Sequence, residues 1–242
     1  MKDGIETLGK CSSYFIILVI SSLIIVGFFT IPIIKPEKIL PILANGFKPV
    51  LVGAFAAFSF PFGELIAFTL VFDSLEAAGS CYKVYIKALL LGGTIVFLVV
   101  LRNLMVLGTD TLGAVYFPSY SAVSRVNIGN FLQRLEIAVT VVFILSGFIK
   151  ICICLLATAK GFSKLFGYSD YRHFVTPLAL LMVNLAYLIY DSIMEMFEWA
   201  QDIWPYYAFP FQVVIPLIIL TAVEVKTRLK KKENTKKEEA QG

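Results

Sequence analysis

Phe58-Ser59-Phe60-Pro61-Phe62-Gly63-Glu64 sits in the middle of an apolar stretch that runs from Pro49 to Phe72. A stretch of that length crosses a bilayer, whose hydrocarbon is about 30 Å thick and takes about 20 helical residues. Its centre nevertheless carries a proline, a glycine and a carboxylate, the residues a spanning helix tolerates least. A helix interrupted at membrane depth leaves backbone N–H and C=O groups without partners. Such a break is tolerated where protein encloses it or where it lines a cavity for a polar solute. The heptapeptide therefore predicts an all-α, polytopic membrane protein that holds something polar at a broken helix.

The surrounding chain fits that class. Hydrophobic residues make up 58% of it, charged residues 16%, and the mean hydropathy is +0.82, against about half and a quarter in soluble domains. Six apolar blocks predict spans near Tyr14–Ile34, Pro49–Phe72, Val84–Leu107, Leu135–Ala159, Phe174–Met196 and Trp204–Val223. The first is too long for the apolar core of a secretory signal and lacks a small-residue cleavage site. Residues 1–223 thus read as a transmembrane bundle and 224–242 as a basic tail, disordered or frayed helix from Lys226 to Lys237. Most of the net charge of +4 resides in this tail, which argues for a cytoplasmic terminus and not for nucleic acid. The four cysteines form no disulfide framework, and the single His173 leaves no histidine pair for a metal.

With both termini inside, the inner side collects Lys2, Lys10, Lys83, Lys87, Lys160, Lys164, Arg172 and the seven basic residues of the tail. The outer side collects Lys35, Lys38, Lys48, Arg125 and Arg134. Fourteen against five satisfies the positive-inside rule. Trp199, Trp204, Tyr206 and Tyr207 then cluster at the outer end of the last two spans, as interfacial anchors do. The link from Lys35 to Lys48, with Pro36, Pro41 and the apolar Ile39-Leu40 and Ile42-Leu43, is expected in the interface. Thr109 to Arg134 is longer than a plain helix–helix link and ends in an amphipathic stretch, Asn127 to Arg134.

Charges inside spans need a partner or a wet cavity, because each costs about 2.5–3.5 kcal/mol on insertion scales. Lys150 lies just past the middle of the fourth block and is expected to face the bundle interior. There it either takes the place of a coupling cation, pairs a carboxylate, or fixes helix register through a buried ion pair. Glu64 opens the second half of the broken helix. It either caps that half-helix or marks a first turn whose free N–H groups hold a substrate carboxylate. Arg102-Asn103 is close enough to a span end to snorkel. Asp191, Glu195 and Glu198 are expected on one face of the fifth span, as a solvated end or a cation-attracting vestibule. Tyr190-Asp191 resembles half of an intramembrane aspartyl protease site, but no span supplies a second aspartate in a Gly-x-Gly-Asp context. With no serine elbow either, no catalytic residues are assigned and an enzyme is not expected.

Several motifs together resemble the spore germination permease-like family, the B subunits of nutrient germinant receptors (GerAB/GerKB type). They are Leu43-Ala44-Asn45-Gly46-Phe47-Lys48-Pro49-Val50-Leu51 and the Phe58–Glu64 heptapeptide, then Arg102-Asn103 and Phe117-Pro118-Ser119-Tyr120. Asn127-Ile128-Gly129 with Arg134-Leu135-Glu136 follows, then Gly147-Phe148-Ile149-Lys150, and Phe166-Gly167 with Asp170-Tyr171-Arg172. The likeness closes on Tyr206-Tyr207-Ala208-Phe209-Pro210-Phe211-Gln212.

The resemblance implies a fold related to amino acid–polyamine–organocation transporters, with ten helices in two inverted five-helix repeats. This chain then supplies six spans, the second repeat plus one helix, with Gly4-Ile5-Glu6 at the approach to the fifth helix. About the first four helices are absent, so a truncated frame or a split subunit with separately encoded N-terminal helices is expected. The broken segment corresponds to the sixth helix, which carries a substrate-binding role over to Phe60, Pro61, Gly63 and Glu64. Lys150 matches a lysine of the eighth helix, in an ion-pair or coupling role. The implied function is nutrient amino-acid sensing in the spore inner membrane beside A and C subunits, with no cofactor. An amino-acid permease and a scaffold subunit that binds no solute are the alternatives.

Overall fold

A chain in hydrocarbon has no water to satisfy its backbone, so its apolar blocks close their hydrogen bonds internally as helices. The computed structural model describes residues 4–70, 81–126 and 135–239, and every regular element among them is helical. Five helical segments are long and apolar enough to cross a membrane: Ile5–Ile33, Phe47–Leu70, Tyr82–Leu107, Glu136–Phe166 and Trp204–Arg228. A sixth span results if the two helices of the fifth block count as one broken span. The protein is thus an all-helical, multi-pass bundle, as its sequence predicts. The chain divides into two compact units, one of Met1–Gly46 with Ala67–Met194, the other of Phe47–Ile66 with Glu195–Gly242.

The first unit is built on α1 (Ile5–Thr30), α3 (Cys81–Leu107), α6 (Glu136–Phe166) and α7 (Arg172–Leu188). Helix α1 runs alongside α6, with Phe15 edge-on to Phe148 at 6.3 Å. The α6–α7 turn follows from its residues. Gly167 ends α6 in the left-handed region (φ 72°), and the Tyr168 N–H reaches back to the Ser163 carbonyl at 2.9 Å. The Ser163 hydroxyl donates to the Tyr168 carbonyl at 2.6 Å, and Asp170 accepts from the Arg172 N–H at 2.9 Å. That is a glycine C-cap followed by an aspartate turn. Leu155 and Ala159 of α6 then pack on Val175 and Leu178 of α7.

The long link after α3 is largely helical in its described part. It contains α4 (Thr109–Ala114) and α5 (Pro118–Val123), and its Asn127–Arg134 stretch lies outside the described residues. Helix α5 is the hub of the unit. Its Ala122 packs on Val106 and Leu107 of α3, and its Val123 on Val26 of α1. Val26 is 1% exposed, but lipid tails are as apolar as a protein core. Such contacts therefore hold helices together by close packing more than by escape from water. The same logic leaves Ile17, Ile24, Phe28, Leu90, Leu91 and Phe97 exposed on the outside. The link after α1 is pinned as well: the Lys35 N–H donates to the Met105 carbonyl at 3.1 Å.

The fifth apolar block departs from its expected form. It is not one helix from Phe174 to Met196. Helix α7 ends at Leu188 and α8 (Ile193–Asp202) starts afresh. Asp191 and Ser192 are residues that compete for backbone groups, and Ser192-Ile193-Met194-Glu195 has the capping-box pattern of a new helix start. Asp191 therefore precedes the helix that carries Glu195 and Glu198, so the three carboxylates do not share one helical face. Of the two forms expected for the tail, helix is the one seen: α10 (Ile215–Glu239) runs through most of it.

Candidate functional site: the broken second span

Within the second unit, α2 (Phe47–Ala57) ends in a π-helical turn at Phe58–Phe62, and Gly63–Leu70 continues as a 3-10 helix. The break is at Phe60, whose φ of −141° and ψ of 121° are extended. Proline dictates this locally, because its ring disfavours helical geometry in the residue before it. It also removes one N–H. The Gly63 N–H is diverted to the Phe58 carbonyl, so the Ser59 carbonyl loses the donor that an α-helix would have given it.

A side chain from far along the sequence replaces that donor. The second unit contains α9 (Trp204–Phe209) and a further π-helical turn, Pro210–Val214, leading into α10. Gln212 Nε2 in that turn donates to the Ser59 carbonyl at 3.0 Å. The Ser59 hydroxyl, 1% exposed, lies 3.4 Å from both Gln212 Oε1 and the Pro205 carbonyl, two acceptors for one proton. Phe55, one turn before the break, holds Tyr206 and Phe209 at ring separations of 5.6 and 5.8 Å. Gly63 makes room for the carboxamide. A methyl there would overlap Gln212 Oε1 and come within 2.6 Å of its Cδ.

The four residues expected at the site are thus together, in one unit and within one helical turn of the break. Phe60 and Pro61 are exposed, Gly63 and Glu64 half-buried. Glu64 occupies the first turn of the second half, as expected, but that half is 3-10 and not α. Lys150 belongs to the other unit, near the middle of α6. It is exposed there, not directed into a packed interior as its sequence position suggested. Ser59 and Gln212 were missed as site residues. A polar residue beside the Phe-Pro break was the available signal for Ser59, whereas nothing local distinguishes Gln212.

Comparison with known proteins turns this geometry into a family assignment. The profile described as "Spore germination protein" matches residues 1–196. The chain belongs to the spore germination protein family. The B-subunit resemblance read from its motifs is therefore correct at the level of the family. It is 29% identical to spore germination protein KB of Bacillus subtilis (strain 168), over 99% of this chain and 65% of that protein. It is 22% identical to YfkT of the same organism, over 93% of this chain and 61% of that protein. The chain thus spans less than two thirds of the length of either relative. No solved structure matches this family member.

Three of the four aromatic residues expected as interfacial anchors form a cluster of tilted rings. Trp199, Trp204 and Tyr207 have ring separations of 5.7, 6.0 and 6.2 Å, and Phe211 extends the cluster at 5.7 Å from Tyr207. Amphipathic rings suit the lipid–water boundary.

Proposed function

We propose that this family member is a B-type subunit of a spore germinant receptor, which senses a nutrient amino acid at the Phe60–Glu64 break and signals to A and C subunits. The observation that carries this reading is the extended residue at mid-span, with a backbone carbonyl served by a side-chain amide in place of the helix. A solute that displaces the Gln212 carboxamide would find at that carbonyl an acceptor for its ammonium, and at the first turn that begins at Gly63 the positive end of a helix dipole for its carboxylate. Occupancy acts by favouring one packing of the bundle, because a ligand shifts an equilibrium only by its differential affinity. The reading includes the second inverted repeat plus one helix of a ten-helix, transporter-like fold. It also includes cytoplasmic termini, residues 1–223 as the membrane bundle, a basic cytoplasmic tail from 224, and the spore inner membrane as location. Lys150 keeps its proposed ion-pair or coupling role.

The test is the germination response of spores that carry the assembled receptor with Glu64→Gln or Gly63→Ala. A shifted dependence on amino-acid concentration supports the site, and an unchanged one removes it. One observation favours a second reading. Gln212 satisfies the break from within, which suits a scaffold subunit that needs no solute. In that case the subunit co-purifies with A and C subunits, and amino acids leave its unfolding temperature where it was.

A further inference from the structure

Arg102-Asn103 and Phe117-Pro118-Ser119-Tyr120 take no part in the proposed solute site, yet α3 and α5 join them in one polar network. Asn103 is 4% exposed. Its Oδ1 accepts from Arg102 Nη2 at 2.7 Å and from Arg102 Nε at 3.3 Å, and its Nδ2 donates to Ser119 Oγ at 2.9 Å. Ser119 is itself fixed, because its helix packs through Ala122 on Val106 and Leu107 of α3. The hydroxyl therefore orients the carboxamide, and the carboxamide orients the guanidinium.

Both bonds to Asn103 use the side edge of the guanidinium, Nε and Nη2. A guanidinium has five N–H donors in a planar fork. The three that remain, on Nη1 and Nη2, have no partner among the described residues, and two of them, one on each Nη, form the end edge that grips a carboxylate or phosphate with two bonds. No carboxylate lies within ion-pair distance of this half-buried charge among the described residues. A second cation bonds the same helix nearer its end. Lys38 Nζ donates to the carbonyl of Val106, one helical turn beyond Arg102. The acidic residues nearest in sequence, Glu37 and Asp110, are exposed and pair with neither cation. A half-buried guanidinium held by a neutral amide makes a site that is short of an anion.

We infer that Arg102, oriented by Asn103 and Ser119, is a subsite for an oxyanion: the phosphate of a lipid headgroup or the carboxylate of a soluble molecule. It lies in the first unit and does not depend on the Phe60–Glu64 assignment. The full-length chain is purified in an uncharged maltoside, and its thermal unfolding is followed with two probes. One is dioctanoyl-phosphatidylglycerol and the other is sodium acetate exchanged against chloride at constant ionic strength. A rise in unfolding temperature with the lipid alone identifies a headgroup site. A rise with acetate, alone or with the lipid, identifies a general oxyanion site open to soluble carboxylates. Arg102→Gln abolishes the rise.

Asn103→Asp guards against a variant that merely fails to fold. It puts a carboxylate where the carboxamide oxygen sits, so Arg102 gains an internal partner. Its unfolding temperature without probe should hold or increase, while the half-saturating probe concentration increases at least ten-fold. Neither probe stabilising the natural chain overturns the inference. So does an Asn103→Asp response at unchanged probe concentration.

Discussion

Gly63→Ala tests the arrangement at the break most directly, because its sign depends on a single distant side chain. Gly63 has φ −67° and ψ −24°, ordinary helical values, so alanine brings no backbone strain. Taken alone, the substitution should stabilise a helix by up to about 1 kcal/mol. The structure reverses that expectation. The new methyl would occupy the space of the Gln212 carboxamide, and the amide must swing away from the Ser59 carbonyl. Losing that bond costs about 1 kcal/mol, and about 1–3 kcal/mol if the buried acceptor finds no other donor.

The net expectation for Gly63→Ala is therefore a loss of about 1–2 kcal/mol, or about 2–4 °C in unfolding temperature for each kcal/mol. Gln212→Ala forfeits the same bond. In that background the clash is gone, and Gly63→Ala should cost nothing or add a few tenths of a kcal/mol, on the order of the helix propensity gain. Thermal unfolding of the natural chain, both single variants and the double variant closes the cycle. Additive effects, with Gly63→Ala equally damaging with and without Gln212, would refute the claim that the carboxamide fills this break.

Three further outcomes follow from the first unit. Gly167→Ala forces a side chain into the left-handed region at the α6 end and should cost about 1–2 kcal/mol, read as a lower unfolding temperature. Gly9→Ala serves as its control. That glycine lies in α1, where an added methyl would meet nothing within 4 Å, so the unfolding temperature should hold or rise. Lys38→Met removes the cation that bonds the Val106 carbonyl at the α3 end. It should lower stability by about 0.3–1 kcal/mol, with the loss shrinking in high salt if the helix dipole is the cause.

The sequence determined the environment and the position of the break. Apolar blocks of bilayer length have only the helix as an internally satisfied form, and Phe60-Pro61 cannot continue one, so both results are local and legible. The capping pattern at Ser192–Glu195 was equally local, but the long apolar run masked it and the fifth block read as one helix. Tertiary structure alone decided what satisfies the break. Gln212 lies about 150 residues from Ser59 in the chain, in a stretch whose polar residue could as well have faced lipid headgroups or solvent. Only packing reveals which way it turns. Lys150 shows the converse. Its mid-span charge demanded a polar surrounding, but which face of α6 it occupies depends on how α1 and α7 dock, and no pattern within α6 encodes that.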